Sequence, residues 1–200
     1  GVLRGRHLMR EILGAGPRSN RALLLAGGRG TRLYPLTKDT PKPMLRVAGR
    51  PILERIVLHL VGCGITHHYV AVHHLSHAIE EHFGDGTKFG CRITYLREEH
   101  PLGTAGALAL LPEPPAHPLV VMNGDLVTLA DIGGMVDAHA AQGNHATVGV
   151  RGYSHEVPFG VIEGNDGRVE RIIEKPTMQW TVNAGIYVID PGLRARVPAG

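Results

Sequence analysis

Cysteine is scarce in this sequence: Cys63 and Cys91 are the two among 200 residues. Two cysteines form neither a disulfide framework nor a zinc motif, and a reducing cytoplasm fits that usage best. Aromatic residues are only 4% of the chain, and the net charge is a mild +3 with scattered basic residues. Both a stacking platform and a polybasic stripe are therefore missing, which argues against a nucleic-acid partner. No apolar run approaches the ~18 residues that span a bilayer. The N-terminal stretch "GVLRGRHLMREILGAG" has no signal-peptide pattern. No membrane partner is expected. Internal repeats and low-complexity segments are absent too. What is present is 43% apolar and 20% charged residues, the balance of a globular chain rather than a disordered one. The length suffices for one domain with a full hydrophobic core.

Short apolar runs of β type alternate with helix-type segments. "RALLLA" (21–26) reads as a buried strand, and "PILERIVLHLVGCG" (51–64) as a helix opened by proline and closed by glycines. Its stripe of Ile52, Leu53, Ile56, Val57, Leu60 and Val61 has helical spacing. Strands are expected at 68–72, 92–96 and 118–123, and helices at 76–83 (capped by Ser76), 104–111 and 130–143. This alternation indicates a mostly parallel sheet covered on both faces. From 145 onward β-type runs are joined by short turns such as "GNDG" (164–167), which suggests a mixed sheet or appended hairpins. Residues 1–20 fit poorly and read as a linker or the tail of an upstream module. Residues 21–200 read as the domain.

The chemistry concentrates after the first strand, in "LLLAGGRGTRLYPLTKDTPKPML" (23–45). Backbone N–H groups without side chains can close around anionic oxygens, so Gly27, Gly28 and Gly30 suggest a phosphate cradle. The P-loop pattern does not match, because no Lys-Ser/Thr pair follows. The dinucleotide pattern does not match either, because Leu33 stands where its third glycine belongs. Arg32 and Lys42 accompany Pro35, Pro41 and Pro43. Prolines fix φ and stiffen the loop, so two cations can be held over a polyphosphate at low entropic cost.

The stretch "LAGGRGTRLYPLTKDTPKPMLRVAGRPILERI" (25–56) resembles the signature of sugar-1-phosphate nucleotidyltransferases, also called nucleotide-sugar pyrophosphorylases. "PLGTAGAL" (101–108), "VMNGD" (121–125), "VPFGVIE" (157–163), "EKP" (174–176) and "VNAGIYV" (182–188) agree in the same order. In motif form the chain is most similar to mannose- or heptose-phosphate guanylyltransferases. The resemblance implies a Rossmann-like α/β fold, with a mixed, mostly parallel sheet and helices on both faces. It implies transfer of a nucleotidyl group from a nucleoside triphosphate to a sugar-1-phosphate. It also implies a second metal-binding aspartate beyond the chain's last residue, so the domain is expected to be incomplete at its C-terminus. Asp190 is the nearby candidate, but its "VIDP" setting does not match. A homo-oligomer is compatible with the reading.

Asp125 closes a buried strand, where a carboxylate points into the ligand crevice of an open α/β sheet. The resemblance assigns it Mg²⁺, which takes one or two carboxylates plus substrate phosphates. Arg32, Lys42, Asp125 and Lys175 are the expected catalytic set. Leu25, Ala26, Gly27, Gly28, Gly30, Thr31, Glu98, Gly103 and Thr104 are expected around the nucleotide. Gly160, Glu174, Lys175 and Asn183 are implied for the sugar phosphate. Glu98 offers two acceptors, a match for guanine's ring N–H and amino group. Alternatively it pairs with Arg97 or another nearby cation. The histidines of "HHLSH" (73–77) lack a zinc pattern and read as turn or surface residues.

Overall fold

The structure is a computed structural model that describes residues 16–100 and 102–197. The strands, in chain order, are β1 (Arg21–Leu25), β2 (Arg46–Val47), β3 (Arg50–Pro51), β4 (His67–Val72), β5 (Arg92–Arg97), β6 (Leu119–Asn123), β7 (Ala146–Glu156), β8 (Val161–Asn165), β9 (Arg168–Ile173) and β10 (Thr177–Ile189). The α-helices are α1 (Ile52–Gly62), α2 (Ser76–Phe83), α3 (Gly103–Gly106) and α4 (Ile132–Gln142). A six-stranded sheet runs in the order β5-β4-β1-β6-β10-β7. β1 pairs in parallel with both β4 and β6, β4 pairs in parallel with β5, and β10 is antiparallel to β6. The expected mixed, mostly parallel sheet is present.

The sheet is covered on both faces because its central strands β1 and β6 are apolar at all but one position each. Side chains alternate along a strand, so β1 feeds two cores. Ala22 and Leu24 join Leu53, Ile56, Ile79, Phe83 and Val136 of α1, α2 and α4. Leu23 joins Tyr69, Leu96, Leu108 and Leu111 on the other face. α1 buries Ile52, Leu53, Ile56, Val57 and Leu60, the stripe that its spacing announces. Truncating Leu53, which is fully buried, to alanine would cost about 2–5 kcal/mol.

Two expectations need correction. Ser76 does not cap α2. Leu75 holds the cap position with φ 54°, no side-chain cap bond forms, and Ser76 is the first helical residue. Its hydroxyl instead reaches Glu80 one turn on. The helix expected over 104–111 is split into α3 and a 3₁₀ turn at Ala107–Leu110. Gly103 and Gly106 weaken the α form, and a tighter turn ends the segment.

The chain divides into two compact units, one being Val148–Gly185 and the other the remaining described residues. In the smaller unit, β8 and β9 form an antiparallel hairpin. Asp166 and Gly167 both have positive φ (48° and 77°) at its two-residue turn, the geometry such hairpins favour. Of the segment expected as a linker, residues 1–15 lie outside the described residues. Residues 16–20 are tied to the larger unit. Arg18 N–H donates to Gly64 O at 3.0 Å, and its guanidinium pairs with Asp137 at 2.6 Å.

Candidate active site

The site grows from the parallel pairing of β1 with β6. Leu25 stands opposite Asn123 in the register, so the loops that follow the two strands leave side by side. Gly124 N–H donates to Leu25 O at 2.8 Å. A Cβ on Gly124 would lie only 2.8 Å from that same oxygen, so glycine lets the two chains touch. Asp125 follows at once.

The loop after β1 is built from two short 3₁₀ turns. Gly30 takes φ +64°, which suits glycine, and its carbonyl accepts Leu33 N–H at 2.9 Å to close the turn Thr31–Leu33. The second turn, Lys42–Met44, has Pro43 inside its first turn and buries it. This folds the loop back. Lys42 Cβ lies 3.2 Å from where a Gly30 Cβ would stand. The Lys42 ammonium then forms an ion pair with the Asp125 carboxylate, with side-chain exposures of 37% and 27%.

The third contribution comes from the end of β5. Glu98 N–H donates to Val72 O at 2.9 Å, and His73 Nδ1 hydrogen-bonds Glu98 O at 2.8 Å. The Glu98 carboxylate passes over Gly27, where a Cβ would meet its Oε2 at 3.2 Å. Arg97 pairs with Glu80 at 2.7 Å, and that contact holds the Glu80 carboxyl below its ordinary range. The alternative pairing of Glu98 with Arg97 is therefore not realised. Among the described residues Glu98 has no cation within ion-pair distance. Its carboxylate accepts Leu102 N–H at 3.5 Å, a long and weak bond.

Together these elements line a cleft of about 430 Å³, within the size range of small-molecule sites. Leu25, Gly27, Gly28, Gly30, Thr31 and Arg32 line one side; Lys42, Glu98, Gly103 and Asp125 complete it. Ala26 is buried beneath the loop rather than lining the cleft. Thr104 belongs to α3, and its side chain lies outside the described part of the structure. Leu33, Pro43 and Asn123 also line the cleft and were not anticipated. The "VMNGD" context could have flagged Asn123, which sits on the same strand end as Asp125.

The four residues implied for the sugar phosphate all lie in the smaller unit. Gly160 stands beside Glu174, whose Oε2 would be 3.2 Å from a Gly160 Cβ. Lys175 is exposed and takes φ +43°, a conformation costly for a residue with a Cβ. Asn183 Oδ1 accepts Gly185 N–H at 2.8 Å. Asp190 caps the 3₁₀ turn Pro191–Arg196, its carboxylate accepting Gly192 N–H at 3.0 Å. Of the histidines, His74 and His77 are exposed and His73 supports Glu98. No group of three or more metal-ligating side chains occurs among the described residues.

The cleft carries two cations and two carboxylates among glycines and stands at the carboxyl ends of parallel strands, where open α/β sheets bind ligands. The sequence model of the Nucleotidyl transferase family matches residues 21–197, and the chain belongs to that family. It is 36% identical over 185 residues to the mannose-1-phosphate guanyltransferase beta-B of Xenopus laevis, covering 88% of this chain and 51% of the relative. It is likewise 36% identical over 185 residues to the mannose-1-phosphate guanylyltransferase of Mycobacterium tuberculosis, covering 90% and 51%. The chain thus spans about half the length of these relatives. Among solved structures, a Bacillus anthracis protein assigned as a glucose-1-phosphate thymidylyltransferase superposes with TM-score 0.66 at 29% identity, covering 88% of this chain and 73% of that one. HddC from Yersinia pseudotuberculosis shares the fold, with TM-score 0.67 at 23% identity and coverage of 90% and 80%.

Proposed function

We propose that this chain carries the nucleotide site of a sugar-1-phosphate guanylyltransferase. A sugar-1-phosphate oxygen attacks the α-phosphorus of GTP, giving a GDP-sugar and pyrophosphate. The observation that carries this reading is the Lys42–Asp125 ion pair at a glycine-lined cleft, with the Glu98 carboxylate beside it and no cation against that carboxylate among the described residues. The 36%-identical mannose-1-phosphate guanylyltransferases support the choice of base and suggest a mannose-type sugar.

The nucleophile is already anionic near neutral pH, since a phosphate monoester's second pKa is about 6. No general base is needed. Catalysis then consists of positioning and of neutralising charge in line. Backbone N–H groups from Gly27 to Thr31 cradle the triphosphate. Arg32 holds it by bidentate contacts and stabilises the departing pyrophosphate. Lys42 serves as a point charge near the reacting phosphate. Glu98 reads the guanine edge by accepting two hydrogen bonds, and Gly103 and Thr104 leave room for the flat ring. Lys175 grips the sugar phosphate, and Glu174, Asn183 and Gly160 contact the sugar.

The residues present suit a magnesium ion. Asp125 puts a partly exposed carboxylate into the cleft, and the cation against it is a partly exposed lysine whose flexible stem lets it turn to phosphate instead. Mg²⁺ characteristically takes few protein carboxylates and completes its shell with phosphates and water. When bound, the ion would neutralise phosphate oxygens.

The test is pyrophosphate release by the full-length protein with Mg²⁺, each nucleoside triphosphate, and a panel of hexose- and heptose-1-phosphates. Release with GTP and one sugar phosphate, lost in Asp125→Ala, is the expected result. Release with a different triphosphate keeps the reaction and overturns the role given to Glu98. Nucleotide binding without release by any pair overturns the enzyme in favour of a nucleotide-sugar sensor.

A further inference from the structure

Thr37 lies in "YPLTKD" (34–39), a stretch of the loop whose other five residues are exposed. Its neighbours Tyr34 and Leu36 are each 67% exposed, yet Thr37 is 4% exposed. Thr37, His68 and His139 are the buried polar or charged residues among those described. The Thr37 hydroxyl donates to Gly30 O at 2.9 Å. The same carbonyl accepts Leu33 N–H, also at 2.9 Å. Both lone pairs of one carbonyl oxygen are thus used, one by the turn that presents Arg32 and the other by Thr37. The Thr37 methyl group packs over Gly30, with Cγ2 3.0 Å from where a Cβ would stand, and Lys42 Cβ approaches the same point at 3.2 Å.

We propose that Thr37 is a positioning residue for the triphosphate. It fixes the glycine arm of the loop, which carries Arg32, against the proline arm, which carries Lys42. It touches no phosphate itself. Its hydroxyl sets the spacing of the two cations before nucleotide arrives, so less ordering remains to be done on binding. The inference rests on the reading of this cleft as a triphosphate site.

The test separates hydroxyl from methyl in the full-length protein. Thr37→Val keeps the branched shape and removes the donor, while Thr37→Ser keeps the donor and removes the methyl. In the ligand-free protein, Thr37→Val should speed hydrogen exchange at the Leu33 amide about fivefold or more, the scale of one net hydrogen bond. Exchange at Leu23 and Leu24 should not change. Calorimetric affinity for Mg-GTP should fall about five- to tenfold by the same reasoning, and Thr37→Ser should stay near wild type in both measurements. Equal exchange and affinity in Thr37→Val and wild type would overturn the proposal. So would equal losses in the valine and serine variants, which would make Thr37 a packing residue only. If Thr37→Val does not fold, Thr37→Ala replaces it against the same serine control, with the same two outcomes. A wild-type protein that binds no nucleoside triphosphate sinks the reading of the cleft itself, and the exchange measurement still decides whether Thr37 fixes the loop.

Discussion

Lys42 and Asp125 touch across the mouth of the cleft, although one belongs to the loop after β1 and the other to the loop after β6. The contact has two consequences. An ion pair this exposed contributes about 0–1 kcal/mol to stability, so Lys42→Ala should leave the unfolding midpoint nearly unchanged. It should, however, free the carboxylate. Mn²⁺ binding to nucleotide-free protein, followed by electron paramagnetic resonance, should tighten by up to about fivefold in Lys42→Ala. Pyrophosphate release should fall by about two orders of magnitude, as for loss of one preorganised charge. Weaker Mn²⁺ binding in the variant would mean that the two groups do not compete.

Glu98 sits over Gly27 with no cation to neutralise it among the described residues. Glu98→Gln replaces one acceptor by a donor. If Glu98 reads guanine by two acceptor contacts, discrimination should fall by about 1–3 kcal/mol. That corresponds to roughly five- to 150-fold in the GTP-to-UTP ratio of kcat/KM. An unchanged ratio would remove Glu98 from base recognition.

Gly124 separates the paired strands from the metal candidate. Adding one methyl group places it 2.8 Å from a backbone oxygen, and a backbone cannot swing aside as a flexible side chain can. Gly124→Ala should cost about 1–3 kcal/mol of stability in urea unfolding. Its nucleotide affinity should fall as well, because Asp125 moves with the shifted backbone.

His68 gives the fold a pH dependence of its own. Its Nε2 bonds to Ile65 O at 2.9 Å and must donate, since a carbonyl only accepts. Nδ1 has no hydrogen-bond partner among the described residues and would carry the second proton of the charged form. Burial pushes the imidazole down from 6.5 to about 4, a fall that the Ile65 bond opposes and nearby His67 assists. Between those two values the unfolded chain binds a proton that the folded chain does not. Stability is therefore complete above about pH 6.5 and declines as pH falls toward 4. The loss reaches roughly 3 kcal/mol. Urea midpoints at pH 7 and pH 4.5 should show the decline, and His68→Gln should flatten it.

The sequence disclosed the parallel core well, because its signals are local. The apolar run of β1, the stripe of α1 and the "GNDG" turn each carry their own pattern. The glycine turn that follows β1 was legible for the same reason. The Lys42–Asp125 contact was not, because it depends on β1 and β6 being neighbours, and strand order is not written in either strand. Thr37 was missed because a threonine in a loop of exposed residues looks exposed until its carbonyl partner is known. The N-terminal half of β10 was missed because "TMQWTVN" is largely exposed and has no core face to announce it. Ser76 misled because Leu75 took the left-handed cap position, which serine at the next residue could not forestall.

Leu23 and Leu24 are chain neighbours that belong to separate hydrophobic clusters. The sheet is thus a partition between two rooms. A void opened on one side is walled off from the other, and repair by a larger side chain must come from the same room. The loop proposed to hold the triphosphate is rooted at the edge of that wall, where Leu24 faces one room and Leu25 the other. Drift in either lining can therefore change how firmly the loop is held while the opposite lining stays as it was.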